Sequence, residues 1–167
     1  MIDAVAEFGL GLVATYGLAV LLVVFVLEGA LIGKVIPTRT LFVAAALAVG
    51  SDTFGLLSVA AVAVVGATLG QLLLFALVRR TDLSLDALPG TSEPAESRFD
   101  AWLDRWGMGA VVVSNTLPVA RGSLTVPAAM ADGNALRFSA SSMAGTSVYA
   151  VGLVAVAAGI DSVVAFI

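Results

Sequence analysis

Four charged residues interrupt stretches of sequence that are otherwise apolar. They are Glu28, Lys34, Arg39 and Arg121. Inside a bilayer, a charged side chain near the centre costs on the order of 2.5–3.5 kcal/mol on insertion scales. Such a residue is expected only where it is paired, reaches an interface or serves a function. These four positions are therefore the first places to look for chemistry.

Arg121 is the strongest candidate for binding an anion. It lies in the segment TLPVARGSLTVP, three residues after Pro118. A helix broken at that proline leaves backbone donors near the guanidinium, and the combination suits a phosphate or a carboxylate. The alternatives are that Arg121 extends to the membrane interface or pairs internally with Glu28.

The other candidates each have a functional and a structural interpretation. Glu28 is a candidate proton carrier, and the alternatives are an interfacial residue or a structural partner of Lys34 or Arg39. Lys34 and Arg39 flank Pro37, so they either assist anion binding or mark the mouth of a hairpin. Asn115 is a further candidate for substrate binding, although a hydrogen bond across helices also explains it.

The composition indicates an integral membrane protein. Hydrophobic residues make up 60% of the 167 residues, charged residues make up 12%, and the mean hydropathy is +1.07. Soluble domains contain about 45–50% apolar and about 25% charged residues. The net charge of −4 argues against nucleic-acid binding, which needs a basic surface.

The absence of two residue types removes several classes of chemistry. The chain has no Cys and no His, so thiolate and imidazole metal sites and the usual nucleophile–base pairs are excluded. No cluster of Ser, Thr, Glu or Arg suggests a replacement for them. We therefore expect no metal, no cofactor and no enzymatic activity.

Three segments are long and apolar enough to be transmembrane helices. They are residues 8–33, 53–78 and 136–160. The first has no basic flank of the kind that precedes a cleavable signal peptide, so we expect it to remain in the mature protein. The predicted fold is an all-α integral membrane protein with about three full transmembrane helices.

Two further segments are apolar but interrupted by proline, and they predict re-entrant hairpins. Residues 34–50 contain Pro37, and residues 107–131 contain Pro118 and Pro127. Broken backbone at membrane depth is tolerated only where protein or a water-filled cavity covers it. We expect the two hairpins to face each other from opposite sides. A single proline-kinked span over 107–131 is the alternative.

The connector between the second span and the second hairpin is the main polar region. Residues 79–94 predict a loop, and residues 95–106 predict an amphipathic helix that places Trp102 and Trp106 at the membrane interface. A helix on the soluble side, packed against the membrane domain, would have the same pattern. The arginines of this connector place it in the cytoplasm by the positive-inside rule.

A series of short motifs follows a definite order along the chain. Glu28 ends the first predicted helix, Ile36-Pro37-Thr38 follows, and GATLGQLLLFALVRR runs from Gly66 to Arg80. WGMGAVVVSNTLPVARGSLTVPAAM then runs from Trp106 to Met130, and Leu136-Arg137-Phe138 closes the series. This order resembles the DedA family, also called the VTT or SNARE-associated Golgi family, of multi-pass membrane proteins.

The resemblance covers roughly residues 25–160 and implies a function in lipid movement. Members of the family are implicated in moving phospholipids and polyprenyl-phosphate carriers between leaflets, in some cases driven by protons. Pro118 and Arg121 match the Pro-x-x-Arg of the family, and Glu28 matches its first acidic residue.

The sequence departs from the family pattern at three positions. Arg39 stands where an acidic residue is usual, Asn115 where the first signature arginine is usual, and Gln71 where Asp is frequent. A proton relay that uses two carboxylates would be reduced to Glu28 alone.

The sequence therefore predicts a lipid transporter of the cell membrane, either a flippase or a scramblase. Its partners would be membrane lipids with anionic headgroups. The sequence also allows a homo-oligomer in which a second copy supplies the missing wall of the membrane domain. The alternatives are a non-transporting membrane assembly or structural subunit, and a transporter of ions or small solutes.

Overall fold

The computed structural model describes residues 17–30, 37–49, 52–81, 101–131 and 133–166, and all regular structure in these ranges is helical. The expectation of an all-α fold is thus confirmed for these ranges. A further helical segment covers residues 101–106. The named helices are α1 (Leu18–Gly29), α2 (Thr38–Val49), α3 (Thr53–Thr81), α4 (Met108–Thr116), α5 (Thr125–Met130) and α6 (Ala135–Phe166).

Two of the helices in these ranges, α3 and α6, are long and apolar enough to cross a membrane. The qualifying segments are Thr53–Thr81 and Ala135–Ile160. They coincide with the predicted spans 53–78 and 136–160. Only 28% of the apolar 18-residue stretch of α6 is buried, whereas the core helix of a soluble protein is mostly buried. An apolar helix with this much exposed surface indicates a membrane protein.

The first two helices are shorter than a transmembrane span. Helix α1 begins after Gly17 and ends at Gly29, within the predicted span 8–33, of which residues 8–16 and 31–33 lie outside the described ranges. Helix α2 follows Pro37 and contains 12 residues, which at about 1.5 Å per residue gives about 18 Å. In the predicted hairpin 34–50, residues 34–36 and 50 lie outside the described ranges.

The segment 107–131 folds as two short helices rather than as one kinked span. Helix α4 ends at Thr116, and Leu117 is extended with φ −89° and ψ 126° because the next residue is proline. Gly122, with φ 75°, allows the chain to reverse. Helix α5 then starts at Thr125. We call residues 117–124 the central turn.

Glycines allow α1 to pack closely against α3. A methyl group added to Gly29 would collide with the carbonyl oxygen of Ala67, and one added to Gly70 would collide with that of Val26. Gly66 lies in the same way against Leu22. Residue 22 of α1 contacts residue 66 of α3, and residue 26 contacts residue 70. Residue numbers therefore rise in the same direction along both helices, which are parallel.

Aromatic and polar contacts set the register of α3 against α6. The rings of Phe75 and Phe138 stack with their centroids 4.6 Å apart. Four residues back along α3, the Gln71 side chain accepts a hydrogen bond from Ser142, which is four residues forward along α6. The two long helices are therefore antiparallel.

The polar connector begins later than predicted. Helix α3 continues to Thr81, so Arg79 and Arg80 belong to its last turn and not to the predicted loop 79–94. Basic side chains stabilise the C-terminal end of a helix, which explains the extension. Of the predicted amphipathic helix 95–106, residues 101–106 are helical and Trp102 and Trp106 are exposed. Residues 82–100 lie outside the described ranges.

Candidate functional site

The central feature of the bundle is an ion pair between two of the predicted site residues. Nη1 of Arg121, in the central turn, lies 3.2 Å from Oε1 of Glu28, near the end of α1. The side chain of Arg121 is 8% exposed and that of Glu28 is 21% exposed. The structure thus shows the internal pairing that the sequence left as an alternative for Arg121.

Aromatic rings surround the guanidinium of Arg121. Its central carbon lies 4.5 Å from the ring centroid of Tyr149 on α6 and 6.0 Å from that of Phe25 on α1. Both distances are within the range of cation–π attraction. Two rings and one carboxylate therefore hold the guanidinium in place.

The ion pair lies halfway along the long helices. Gly29, which follows Glu28, packs against Ala67, the central residue of α3. Tyr149 lies about 20 Å along α6 from Ala135, at about 1.5 Å per residue. The positions of Gly29 and Tyr149 thus place the ion pair far from either end of the bundle.

A second arginine joins the start of α2 to the central turn. Arg39 donates a hydrogen bond of 2.7 Å from Nη2 to the carbonyl oxygen of Pro118. Pro118 precedes Arg121 by three residues, so Arg39 contacts the same turn that carries the ion pair. Pro37 lies two residues before Arg39 and accepts a backbone hydrogen bond from Leu41. Lys34 lies outside the described residues.

Asn115 is part of a buried hydrogen-bond cluster, which we call the amide cluster. Asn115 and Gln71 exchange two side-chain hydrogen bonds of 2.9 Å and 3.0 Å. Asn115 also accepts from the backbone N–H of Gly122, and Gln71 accepts from Ser142. These side chains are buried and their polar atoms are engaged with one another, which is the hydrogen bonding across helices that the sequence offered as an alternative for Asn115.

The central turn offers fewer free backbone donors than the sequence suggested. The N–H groups of Leu117, Gly122 and Ser123 in this turn donate within the protein. The N–H groups of Val119, Ala120 and Arg121 donate to no acceptor among the described residues, so they and the charged side chains are the groups left to recognise an anion.

The ion pair is incompletely satisfied on its acidic side. Oε2 of Glu28 is buried and has no hydrogen-bond partner among the described residues. A buried carboxylate oxygen without a donor is costly, so this atom would gain from a new hydrogen-bond donor. Within the described ranges, no group of three or more acidic, His or Cys residues could hold a metal ion.

Ser142 and Tyr149 were not identified from the sequence, and Gln71 was identified only as a departure from the DedA pattern. Gln71 and Ser142 complete the amide cluster, and Tyr149 packs on Arg121. Gln71 and Ser142 are polar residues in the middle of apolar spans, which is a signal for buried hydrogen bonding that the sequence does contain. Nothing in the sequence distinguishes Tyr149 from an ordinary aromatic residue of a span.

Comparisons of the chain with protein-family models, with curated proteins and with solved structures give no match. The resemblance to the DedA family therefore stays a prediction.

Proposed function

We propose that this protein is a membrane lipid transporter, a flippase or scramblase, that moves anionic headgroups between leaflets. The observation that carries this proposal is the Glu28–Arg121 pair halfway along the bundle, at the contact between α1 and the central turn. Apolar residues of similar size would pack in such a place at least as well as a buried ion pair. A charge pair inside a membrane is instead typical of a substrate or ion pathway.

The ion pair provides a mechanism for accepting and releasing a phosphate. A phosphate oxygen can replace the carboxylate at Arg121, because the guanidinium fork binds either anion. Arg39, on the other side of the turn, supplies a second positive charge. Glu28 is then released from Arg121, and its uptake of a proton would link lipid movement to a proton gradient.

The proposed membrane layout follows from helix lengths. Helices α3 and α6 cross the bilayer, whereas α2, at about 18 Å, is too short to cross about 30 Å of hydrocarbon. In this layout α2 belongs to one re-entrant hairpin, and α4, the central turn and α5 form the other. The bond between Arg39 and Pro118 would join the two hairpins where they meet.

The proposed orientation follows from the arginines at one end of the bundle. Arg79 ends α3 and donates to the carbonyl oxygen of Gly133, just before α6 begins. Arg80, Arg105 and Arg137 belong to adjoining segments of the chain. By the positive-inside rule this end, with the 79–106 connector, lies in the cytoplasm of a multi-pass protein of the cell membrane.

A leaflet-exchange assay tests the proposed function. The purified protein is reconstituted into vesicles with a labelled phospholipid or a labelled polyprenyl phosphate, with and without a pH gradient. We expect exchange faster than in protein-free vesicles for at least one anionic lipid. Exchange equal to that of protein-free vesicles for both lipids would refute the proposal.

The ion pair also favours a second candidate, a structural membrane subunit whose charges only fix helix packing. For such a protein, the double variant Glu28→Arg/Arg121→Glu should recover the thermal stability that each single variant loses, and no variant should affect lipid exchange. Loss of lipid exchange in a double variant that has recovered its stability would favour the transporter instead.

A further inference from the structure

An open groove of about 440 Å³ lies between α2 and α6. Its volume is within the range of about 300–1,000 Å³ that is typical of ligand clefts. Its wall includes Arg39, Val43, Ala44 and Leu47 of α2 with Leu153 and Val156 of α6. Arg39, Val43 and Leu47 recur every four positions, and Ala44 lies three positions before Leu47, so these residues form one stripe that is about 12 Å long.

Arg39 gives this groove a charged end. Thr40 lies beside Arg39 at this end, the remaining lining residues are aliphatic, and Arg39 stands at the start of their stripe on α2. Its hydrogen bond goes to the neutral carbonyl of Pro118, and no carboxylate among the described residues forms an ion pair with it. The positive charge at this end of the groove is therefore not compensated by the described part of the protein.

The two ends of the groove require different chemistry from one ligand. An arginine without an acidic partner favours a phosphate, which its planar fork can bind with two hydrogen bonds. The aliphatic wall favours a hydrocarbon chain. A soluble phosphate would leave the wall uncovered, and an uncharged lipid would leave Arg39 without an anion. An anionic lipid satisfies both.

We propose that the groove between α2 and α6 binds one hydrocarbon chain of an anionic lipid whose phosphate lies against Arg39. The proposal rests on the transport function proposed above and adds a chain-binding subsite to it. Because Arg39 contacts Pro118 and Arg121 follows three residues later, a phosphate at Arg39 would lie beside the turn that carries the ion pair. The groove would then hold the tail while the headgroup passes from Arg39 to Arg121.

Lipid binding to the full-length protein in detergent tests this subsite. Native mass spectrometry would compare retention of phosphatidylglycerol with that of phosphatidylcholine carrying the same chains. We expect the wild type to retain phosphatidylglycerol at least about fivefold better. Ala44→Trp should fill the groove and lower retention of both lipids, whereas Arg39→Gln should remove the preference for phosphatidylglycerol.

Two controls separate the groove from the general lipid-facing surface. Val151→Trp adds the same ring to an exposed position of α6 that does not line the groove, and it should leave retention unchanged. Soluble glycerol phosphate should not displace phosphatidylglycerol, because it lacks the chain. Arg39 is exposed, so its replacement keeps the test valid even if Ala44→Trp fails to fold.

The outcomes distinguish the subsite from the transport function. Equal retention of the two lipids by the wild type, unchanged retention in Ala44→Trp, or displacement by glycerol phosphate would each overturn the subsite. Wild-type retention as expected, without any leaflet exchange in vesicles, would leave the subsite in place and refute transport. Leaflet exchange that persists in groove variants with lost retention would show that the subsite lies off the transport path.

Discussion

Buried polar side chains of this protein either hydrogen-bond to one another or leave an atom without a partner among the described residues. The amide cluster engages the polar side-chain atoms of Gln71, Asn115 and Ser142. Glu28 uses one carboxylate oxygen, while the other is buried without a partner among the described residues. The two sites therefore differ in how completely their polar atoms are hydrogen-bonded within the described part of the chain.

The hydroxyls of Ser142 and Thr146 provide a direct test of this contrast. They lie one turn apart on α6, and both are buried, but only that of Ser142 donates, to Gln71. Ser142→Ala should lower the free energy of unfolding by about 1 kcal/mol, because it removes a buried hydrogen bond. Thr146→Val should not lower it, because it removes an unpartnered polar atom. Unfolding in mixed micelles measures both variants, and a larger loss in Thr146→Val would contradict the assignment.

At the residue scale, the sequence identified the charges but not their neighbours. The isolated positions of Glu28 and Arg121 in apolar stretches were enough to suggest that they pair. The contact between Gln71 and Asn115 joins residues 44 positions apart, so no local pattern predicts it. These are two of the three positions where the chain departs from the DedA pattern.

Among the elements, the closest packing is between α1 and α3. Small residues let two backbones approach within a membrane, where there is no hydrophobic drive for helices to associate. Gly29 and Gly70 have no space for a side chain, whereas a methyl group on Gly152 of α6 would meet no atom within 4 Å. The position of Glu28 beside the middle of α3 depends on this contact.

Substitution of these glycines should have opposite effects. Gly70→Ala should lower the free energy of unfolding by about 1–3 kcal/mol, since the methyl group forces α1 away from α3. Gly152→Ala should leave it unchanged or raise it by up to about 1 kcal/mol, since alanine favours a helix. The same unfolding experiment compares them, and equal stability of the two variants would refute the close packing.

The positions of the helices are predicted best where the sequence is uniformly apolar. Helices α3 and α6 have long apolar stretches without proline, so their positions follow from composition alone. The break between α4 and α5 follows from Pro118. Helix α3 extends past the predicted end at residue 78 to Thr81, because Arg79 and Arg80 suit the last turn of a helix as well as the start of a polar loop.

At the scale of the whole molecule, the arginines are concentrated at one end of the bundle. Arg79 and Arg80 end α3, whereas the other end of this helix begins at Thr53 beside an acidic residue, Asp52. This asymmetry predicts the orientation in the membrane.

Labelling of single cysteines measures that orientation. The chain contains no Cys, so a single introduced thiol reports without background. In intact cells, Thr81→Cys should react with a membrane-impermeant maleimide only after permeabilisation. Phe54→Cys, at the opposite end of α3, should react before it. The reverse pattern would place the arginines outside, and reaction of both residues from one side would refute a spanning α3.

The rate of leaflet exchange in an Arg121 variant is the most direct test of the proposed transport mechanism, because this mechanism requires the guanidinium to leave Glu28 for a lipid phosphate. The measurement compares Arg121→Gln with Arg137→Gln, which removes an exposed arginine at the start of α6. Both variants would be checked for folding before reconstitution. We expect Arg121→Gln to reduce exchange of an anionic lipid to the protein-free rate, while Arg137→Gln keeps the wild-type rate. Wild-type exchange by folded Arg121→Gln would contradict the proposed role of Arg121 in transport.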